Sequence, residues 1–296
     1  VARACSAGQR IKRNIQVKYF CTLSDKNYLN QGLALLRSLR EVTQGSFELN
    51  YLCLDEETFT ALKDEPDVRP HKLAEVEASR EQILKFKKSN AYPDYCWSLA
   101  STFCRYLLEQ VDLPHVLYVD SDIYFYKDPQ IIYDEQGDKS VGIIRHRHNT
   151  ASSPDGEFNV GIVYFKNDDV GTSCLQWWND CVLEGNRPDL ATCGDQKYLE
   201  EFVPMFGDSV CVLDKTFAHG APWNFRLYVY DDYYSDGTVV WGDKQQPLVF
   251  NHFSRIGTDP PSPTRGQYQD HTLNYQVFNI PVVRGFYERY LMEIMR

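Results

Sequence analysis

Short apolar runs alternate along the chain with longer segments whose apolar residues recur at helical spacing. Gln16–Leu23 (QVKYFCTL) and Phe47–Leu54 (FELNYLCL) read as strands. Between them Leu29, Leu33, Leu36 and Leu39 step along one face, which predicts a helix over Leu29–Val42. Glu56–Lys63 reads as a short helix and Asp64–Pro70 (DEPDVRP) as a loop. Around Ser98–Gln110 a further helix buries Ala100, Phe103 and Leu107, then passes through Asp112-Leu113-Pro114 into the next apolar run. This rhythm predicts an α/β fold with a mainly parallel sheet.

That next run, VLYVDSDIYFY over Val116–Tyr126, holds two aspartates inside a segment otherwise built like a buried strand. An ionised carboxylate removed from water must be paired, hydrogen-bonded or bound to a metal. In open α/β sheets, ligands bind beyond the carboxyl ends of the strands, where Asp120 and Asp122 fall. Two positions apart in an extended segment, their side chains share one side and can converge on one cation. Carboxylate oxygens suit magnesium or manganese, which in turn bind diphosphate oxygens. The alternative is a pair of turn or capping aspartates.

Composition narrows the classes. With 296 residues, 43% of them hydrophobic, the chain has enough apolar material for one large or two modest domains. Its net charge of -10 argues against broad nucleic-acid binding, which needs a basic surface. No apolar stretch has transmembrane length, and VARACSAGQRIKRN lacks the apolar centre of a signal peptide. The expectation is a chain without a transmembrane segment, with room for an upstream targeting or anchor segment that has been removed. Nine cysteines without a repeated CxxC, several in apolar surroundings, read as reduced core packing. They favour a cytoplasmic location and offer no zinc spacing.

Five blocks in order resemble a GT-A nucleotide-sugar glycosyltransferase, most like the retaining enzymes of glycosyltransferase family 8, from Val17 to about Ser254. They are CTLSDKNYLNQGLALLRSLR (Cys21–Arg40), SLASTFCRYLLEQ followed by HVLYVDSDIYF, FNVGIVYFKND (Phe158–Asp168), CGDQKYLEEF (Cys193–Phe202) and LVFNHFS (Leu248–Ser254). The resemblance implies a Rossmann-like, mainly parallel central sheet flanked by helices, with a DxD metal site. It implies one catalytic domain over residues 16–296 after an N-terminal extension of 1–15, with an acceptor or lid region over about 203–296. It also implies a nucleoside diphosphate sugar donor, a UDP-sugar in this reading, manganese or magnesium as cofactor, and retention at the anomeric carbon. The acceptor it implies is a glycan, lipid-linked or protein hydroxyl, without saying which.

The residues of each block have physical readings of their own. Asp25, Asn27 and Tyr28 follow the first strand, where Tyr28 can stack on a base and Asp25 and Asn27 can hydrogen-bond it. An Asx turn capping the next helix is the alternative for Asn27. Arg105 meets Asp120 or the phosphates, or tethers its helix by a salt bridge; the first reading is preferred. Asn159 offers amide hydrogen bonds to hydroxyls, and Gly161 would let a sugar approach the backbone. Asp195 and Gln196 open a helix-like stretch, where Asp195 is either a cap or, as the resemblance implies, a ligand of a donor-sugar hydroxyl. The resemblance places Gln196 near the anomeric carbon and Ser121 with its flanking aspartates at the donor. It makes His252 the third metal ligand after Asp120 and Asp122, although a lone histidine in an apolar strand is more often a core residue.

Three features stand apart from this pattern. His146 and His148 (IIRHRHN) form a basic cluster that is either a loop near the acceptor or solvated surface. After His252 the family usually carries a Gly-x-x-Lys-Pro-Trp-like segment whose lysine holds the diphosphate. Here SRIGTDPPSPTRG keeps Gly257 without the lysine, leaving Arg255 or Arg265 to substitute. The aromatic stretch with Trp223, Phe225, Tyr228, Tyr230, Tyr233, Tyr234 and Trp241 reads equally as acceptor platform or core. Two other classes compete with the transferase: a nucleotidyltransferase, whose Gly-rich basic phosphate loop is missing after Leu23, and a catalytically silent sugar- or nucleotide-binding module.

Overall fold

The computed structural model describes residues 17–148, 156–185, 187–190, 194–230, 237–254, 256 and 279–296. Four parallel strands, β1 (Lys18–Ser24), β2 (Phe47–Cys53), β3 (Val68–Lys72) and β4 (His115–Val119), form one half of a seven-stranded sheet. The half is extended by β6 (Val141–Arg145), β7 (Phe158–Lys166) and β8 (Val210–Val212) to give the order β3-β2-β1-β4-β7-β6-β8. Only β7 runs against the others. Both faces are covered, so successive strand residues feed opposite cores. Phe20, Leu117 and Val119 pack on one face with Leu35, Leu36 and Leu39 of helix α1 (Leu29–Val42). Cys21, Val116 and Tyr118 pack on the other.

Helices α2 (Glu56–Leu62), α3 (Leu73–Ser79) and α4 (Glu81–Ser89) connect the first half of the sheet. On the second face lie α5 (Tyr92–Glu109), with Leu99, Phe103 and Leu107 buried, and, after α6 (Gln130–Gln136), the helix α7 (Asp169–Glu184), with Leu175 and Trp178 buried. A smaller sheet joins β5 (Ile123–Phe125), β9 (Ala218–Gly220), β10 (Thr238–Trp241) and β11 (Lys244–His252). The short α8 (Phe202–Phe206) precedes it, and α9 (Pro281–Ile294) packs on it through Phe286, Tyr287 and Tyr290. Among the described residues, no helix is long and apolar enough to cross a membrane.

The structure revises three of the predicted elements. Val68–Pro70 belongs to β3 rather than to a loop; β3 is an edge strand, where the missing N–H of Pro70 costs no ladder bond. The helix expected from Ser98 begins at Tyr92, because Pro93 sits in the first turn, where no intrahelical donor is needed. The Val116–Tyr126 run is two strands in two sheets, split by a turn at Asp120–Asp122. The described cysteines are free thiols, and the Cys21 and Cys104 sulfurs approach to 3.7 Å between β1 and α5.

Two buried histidines make stability depend on pH. Burial, with Arg69 nearby, lowers His71 from 6.5 to about 4, and burial lowers His115 to about 4. Below pH 6.5 the unfolded chain binds protons that the folded chain refuses. Stability therefore falls as pH drops from the unfolded value towards about 4, by up to about 3 kcal/mol for each histidine. Nε2 of His71 donates to Asn50 Oδ1 at 3.0 Å, a bond that a glutamine amide can replace. His71→Gln should thus flatten the decline in urea unfolding free energy between pH 7 and pH 5, and an unchanged slope would rule out His71 as a contributor.

Candidate metal centre and its surroundings

The turn that interrupts Val116–Tyr126 is set by two backbone bonds. Asp120 N–H donates to Gly161 O at 3.0 Å, continuing the β4–β7 ladder by one residue, and Ile123 N–H donates back to Asp120 O at 3.1 Å. The carboxylates therefore converge through a turn rather than through the alternation of an extended segment. β5 then pairs antiparallel with β11, placing His252 opposite Ile123. Phe253 N–H donates to Asp122 O at 2.9 Å and locks this register. Sheet pairing thus carries a histidine distant in sequence to the aspartate turn.

His252 Nε2 lies 3.1 Å from Asp122 Oδ1 and 3.5 Å from Asp120 Oδ2. Its other nitrogen faces the backbone of Gly161, where an added Cβ would stand 2.8 Å from Nδ1. Gly161 is therefore needed for the ring to pack, a use of the residue that the sequence reading had given to a sugar. One ligand atom from each of Asp120, Asp122 and His252 lies within 4.8 Å of the others. Two metal–ligand bonds of roughly 2.1 Å span at most ~4.2 Å, so closing on an ion takes a movement of less than about 1 Å. Two carboxylates and one imidazole suit a divalent cation. These residues form a possible metal-binding group.

The charges fit that reading. Burial pushes the Asp120 carboxyl up and Asp122 adds to it, outweighing the pull of His252 and of the Tyr118 hydroxyl, which donates to Asp120 Oδ1 at 2.9 Å. Burial by itself would depress His252, yet Asp122 and Asp120 hold its imidazole above the usual value. Two neighbouring carboxylates with one side chain only 12% exposed are a costly arrangement that a cation would relieve.

A second group adjoins the first. Asp195 is 6% exposed, and its Oδ2 has no hydrogen-bond partner. Burial, then the charge of Asp120, pushes this carboxyl well above the usual range. Leaving a buried polar atom unmatched costs roughly 1–3 kcal/mol. Its backbone is fixed by Trp178 Nε1–H, which donates to Asp195 O at 2.8 Å. Gly194, at φ +63, makes the turn into Asp195 against the face of Trp97, where a Cβ would clash at 2.6 Å. The stretch that follows is a 3₁₀ turn over Lys197–Glu201, and Asp195 does not cap it.

Gln196 meets the β7 strand. The β6–β7 register shifts between Ile143 and Ile144, producing a bulge that re-aims Asn159. Asn159 Nδ2 donates to Gln196 Oε1 at 2.9 Å, and Val160 N–H reaches the same oxygen at 3.4 Å. Asn159, Gly161, Asp195, Gln196, Asp120, Asp122 and His252 are thus joined by contacts or by charge into one neighbourhood.

Asp25 accepts from Asn27 N–H at 2.9 Å and Nδ2 at 3.0 Å, so this pair forms the Asx turn, and Tyr92 OH also donates to Asp25 at 3.3 Å. Tyr28 immediately precedes α1, at the end of the sheet where Asp120 emerges. Ser121 is buried within the aspartate turn. Arg105 does not join this group: it pairs with Glu109 on its own helix and with Asp180 on α7 at 2.9 Å, tethering α5 to α7. Its guanidinium is thus used in the salt-bridge tether, the alternative that the sequence left open, rather than at Asp120. Arg255, Gly257, Arg265, the Pro260–Pro263 stretch, Cys193, Tyr233 and Tyr234 lie outside the described residues.

His146 is buried, not solvated surface. Its ring stacks on His148 at 4.4 Å and meets the Trp223 edge at 5.4 Å, and Trp223 in turn meets His252 at 5.4 Å. The two histidines lie beyond β6, on either side of Arg147 with its left-handed backbone, so their stacking comes from the loop and not from strand alternation.

The family model described as Glycosyl transferase family 8 matches residues 21–253. The Bacillus subtilis (strain 168) protein "Uncharacterized protein YfnF" is 32% identical over 248 residues, covering 79% of this chain and 80% of the relative. "Uncharacterized protein YfnD" of the same organism is 27% identical over 248 residues, covering 80% and 77%. Among solved structures, the galactosyltransferase LgtC in complex with donor and acceptor sugar analogs matches at a TM-score of 0.55 and 14% identity, over 86% of this chain and 95% of that one. Mouse xyloside xylosyltransferase 1 matches at 0.52 and 13%, over 83% and 100%. At these identities the two structures show a shared GT-A fold.

Proposed function

Because the chain belongs to glycosyl transferase family 8 and is a glycosyltransferase, we propose that it moves a sugar from a nucleoside diphosphate donor, a UDP-sugar in our reading, to a hydroxyl acceptor, with metal dependence and retention. The observation that carries this reading is the convergence of Asp120, Asp122 and His252 beside the partnerless Oδ2 of Asp195. Asp120, Asp122 and His252 hold manganese or magnesium. A divalent cation bound there supplies Lewis-acid stabilisation of the departing diphosphate.

The remaining roles belong to the chain's own side chains. Asp195 accepts a hydrogen bond from a donor-sugar hydroxyl, which gives its buried oxygen the partner it lacks. Gln196, held by Asn159, stands at the reacting sugar and stabilises positive charge as it develops. Tyr28 stacks on the base, with Asp25 and Asn27 at its edge and Ser121 beside the diphosphate. Trp223 offers a ring to the apolar C–H face of an acceptor on a glycan, lipid-linked sugar or protein. The region from about 203 carries that acceptor side and closes over the donor in this reading. Free buried thiols fit a reducing compartment, and we place the enzyme in the cytoplasm.

Incubation with a panel of sugar nucleotides and manganese tests the proposal by release of nucleoside diphosphate. NMR of the product should show the donor's anomeric configuration preserved, and an inverted product would remove retention from the reading. Pyrophosphate released from a nucleoside triphosphate would point instead to nucleotidyl transfer. Donor binding without turnover in excess metal would indicate a silent module.

A further inference from the structure

The hydrogen bonds around Asn159 have a polarity that two backbone groups determine. Gly161 N–H donates to the Asn159 side-chain oxygen at 2.9 Å, which fixes that atom as Oδ1 and leaves Nδ2 on the opposite side. Nδ2 then donates both to Gln196 Oε1 at 2.9 Å and to His146 Nε2 at 3.1 Å. His146 Nε2 must therefore carry a lone pair. The proton sits on Nδ1, which faces Gly156 O at 3.0 Å and can only donate to it. The chain of bonds runs from one backbone N–H to one backbone C=O with every donor matched to an acceptor.

The ring itself is held. His146 N–H donates to Glu157 O at 2.9 Å, and His146 O accepts from Trp223 Nε1 at 2.9 Å and from Asn224 Nδ2 at 3.0 Å. The next residue, Arg147, takes a left-handed backbone at φ 55, a conformation that costs a non-glycine residue energy. Its guanidinium is anchored to Asp214 O at 2.7 Å, Phe217 O at 3.0 Å and the Tyr228 hydroxyl at 3.2 Å, and it lies over Trp241. Such an expenditure on one loop points to a side chain that must be held in place.

We propose that His146, as the neutral tautomer protonated on Nδ1, is a positioning residue for glycosyl transfer: it fixes Asn159, and through Asn159 the carbonyl end of Gln196. The proposal rests on the glycosyl-transfer reading of this site. With the Gln196 oxygen turned to Asn159 and Val160, the orientation of the whole amide at the reacting sugar is set from behind. The effect falls on the chemical step more than on donor binding, because a misaligned group costs most in the transition state.

Two substitutions separate this role from simple support of the loop. A glutamine amide reaches the position of Nε2 and can keep an acceptor towards Asn159. An asparagine amide reaches only the position of Nδ1 and keeps the donor towards Gly156 O. His146→Gln should retain most of the turnover, whereas His146→Asn should lose roughly 10- to 100-fold in kcat, as for one buried hydrogen bond left unmade. Donor KM should change by no more than about twofold. A purely structural role predicts the reverse order, with His146→Asn the milder change. ¹⁵N NMR of histidine-labelled protein, with His146 assigned by its loss in His146→Gln, should show the Nδ1–H tautomer; the Nε2–H tautomer or an imidazolium would overturn the proposal. Equal kcat in the two variants with an active wild type overturns the proposal alone. A wild type inactive on every sugar nucleotide overturns the transfer reading and, with it, the positioning role.

Discussion

Asp122→Asn is expected to abolish metal-dependent turnover, with a loss of roughly a thousandfold or more, while leaving the fold intact. The amide keeps the size of the carboxylate and the acceptor that faces His252, but it removes a full charge and a hard ligand. Lewis-acid stabilisation of a leaving group is worth several kcal/mol, and each 1.36 kcal/mol is about tenfold in rate. Asp122 is the stronger of the pair because its Oδ1 lies 3.1 Å from His252 Nε2 with its side chain 12% exposed, against 3.5 Å and 31% for Asp120. Asp120→Asn should follow the same direction. Removing either charge also relieves the repulsion that helps push the Asp120 carboxyl up, so the metal-free variants should unfold no earlier than wild type. Manganese should raise the melting temperature of wild type, as any ligand specific to the folded state does, and leave Asp122→Asn where it was. Unchanged manganese-dependent activity in Asp122→Asn would remove the metal from the mechanism.

What was legible in the sequence was chiefly what depends on short-range pattern. Strand and helix spacing predicted β1, α1 and β2, because each buries a face whose period is fixed by the backbone. The apolar run that ends at Val119 marked the carboxyl end of a strand of the sheet, and with it the placing of Asp120 and Asp122. The conformation between them was not legible, since a turn and an extended segment differ here by partners, Gly161 O from β7 and the Phe253 N–H that follows β11. Arg105 was misjudged for a similar reason: nothing in its own helix shows that Asp180 arrives on α7 to claim it.

The role of His146 was hidden more deeply. His-x-His after an apolar strand reads as a loop near the acceptor or as solvated surface, and which of these holds depends on Trp223 and on the irregularity at Asn159. Gly161 shows the same limit from the other direction. Its lack of a side chain marked a close approach, and the approaching group is His252 together with Asn159 Oδ1. One glycine thereby joins the metal-binding group to the Asn159–Gln196 pair: its N–H fixes Asn159, its C=O fixes Asp120, and its bare Cα admits the imidazole.

The same geometry makes His252→Ala the second variant with a large expected effect. Gly161 occupies the Nδ1 side of the ring, so Nε2 is the nitrogen left to the carboxylates and to an ion. Only the neutral imidazole has a lone pair to give. Because Asp122 and Asp120 hold His252 above its usual value, protons compete with the metal up to a higher pH than for an ordinary histidine. Manganese affinity should therefore be full above that raised value and fall as pH drops through it. His252→Ala should lose this limb of the pH profile and bind manganese at least about 100-fold more weakly, since even indirect partners of metal ligands contribute 10- to 100-fold. Donor binding measured in manganese should weaken with it. A histidine that serves only as core packing predicts otherwise: removing the ring leaves a cavity beside Trp223, lowers the melting temperature, and leaves the affinity of the folded fraction unchanged. Manganese titrations of both folded proteins across pH, with thermal unfolding alongside, separate the two, and equal affinities would leave the ion to Asp120, Asp122, the diphosphate and water.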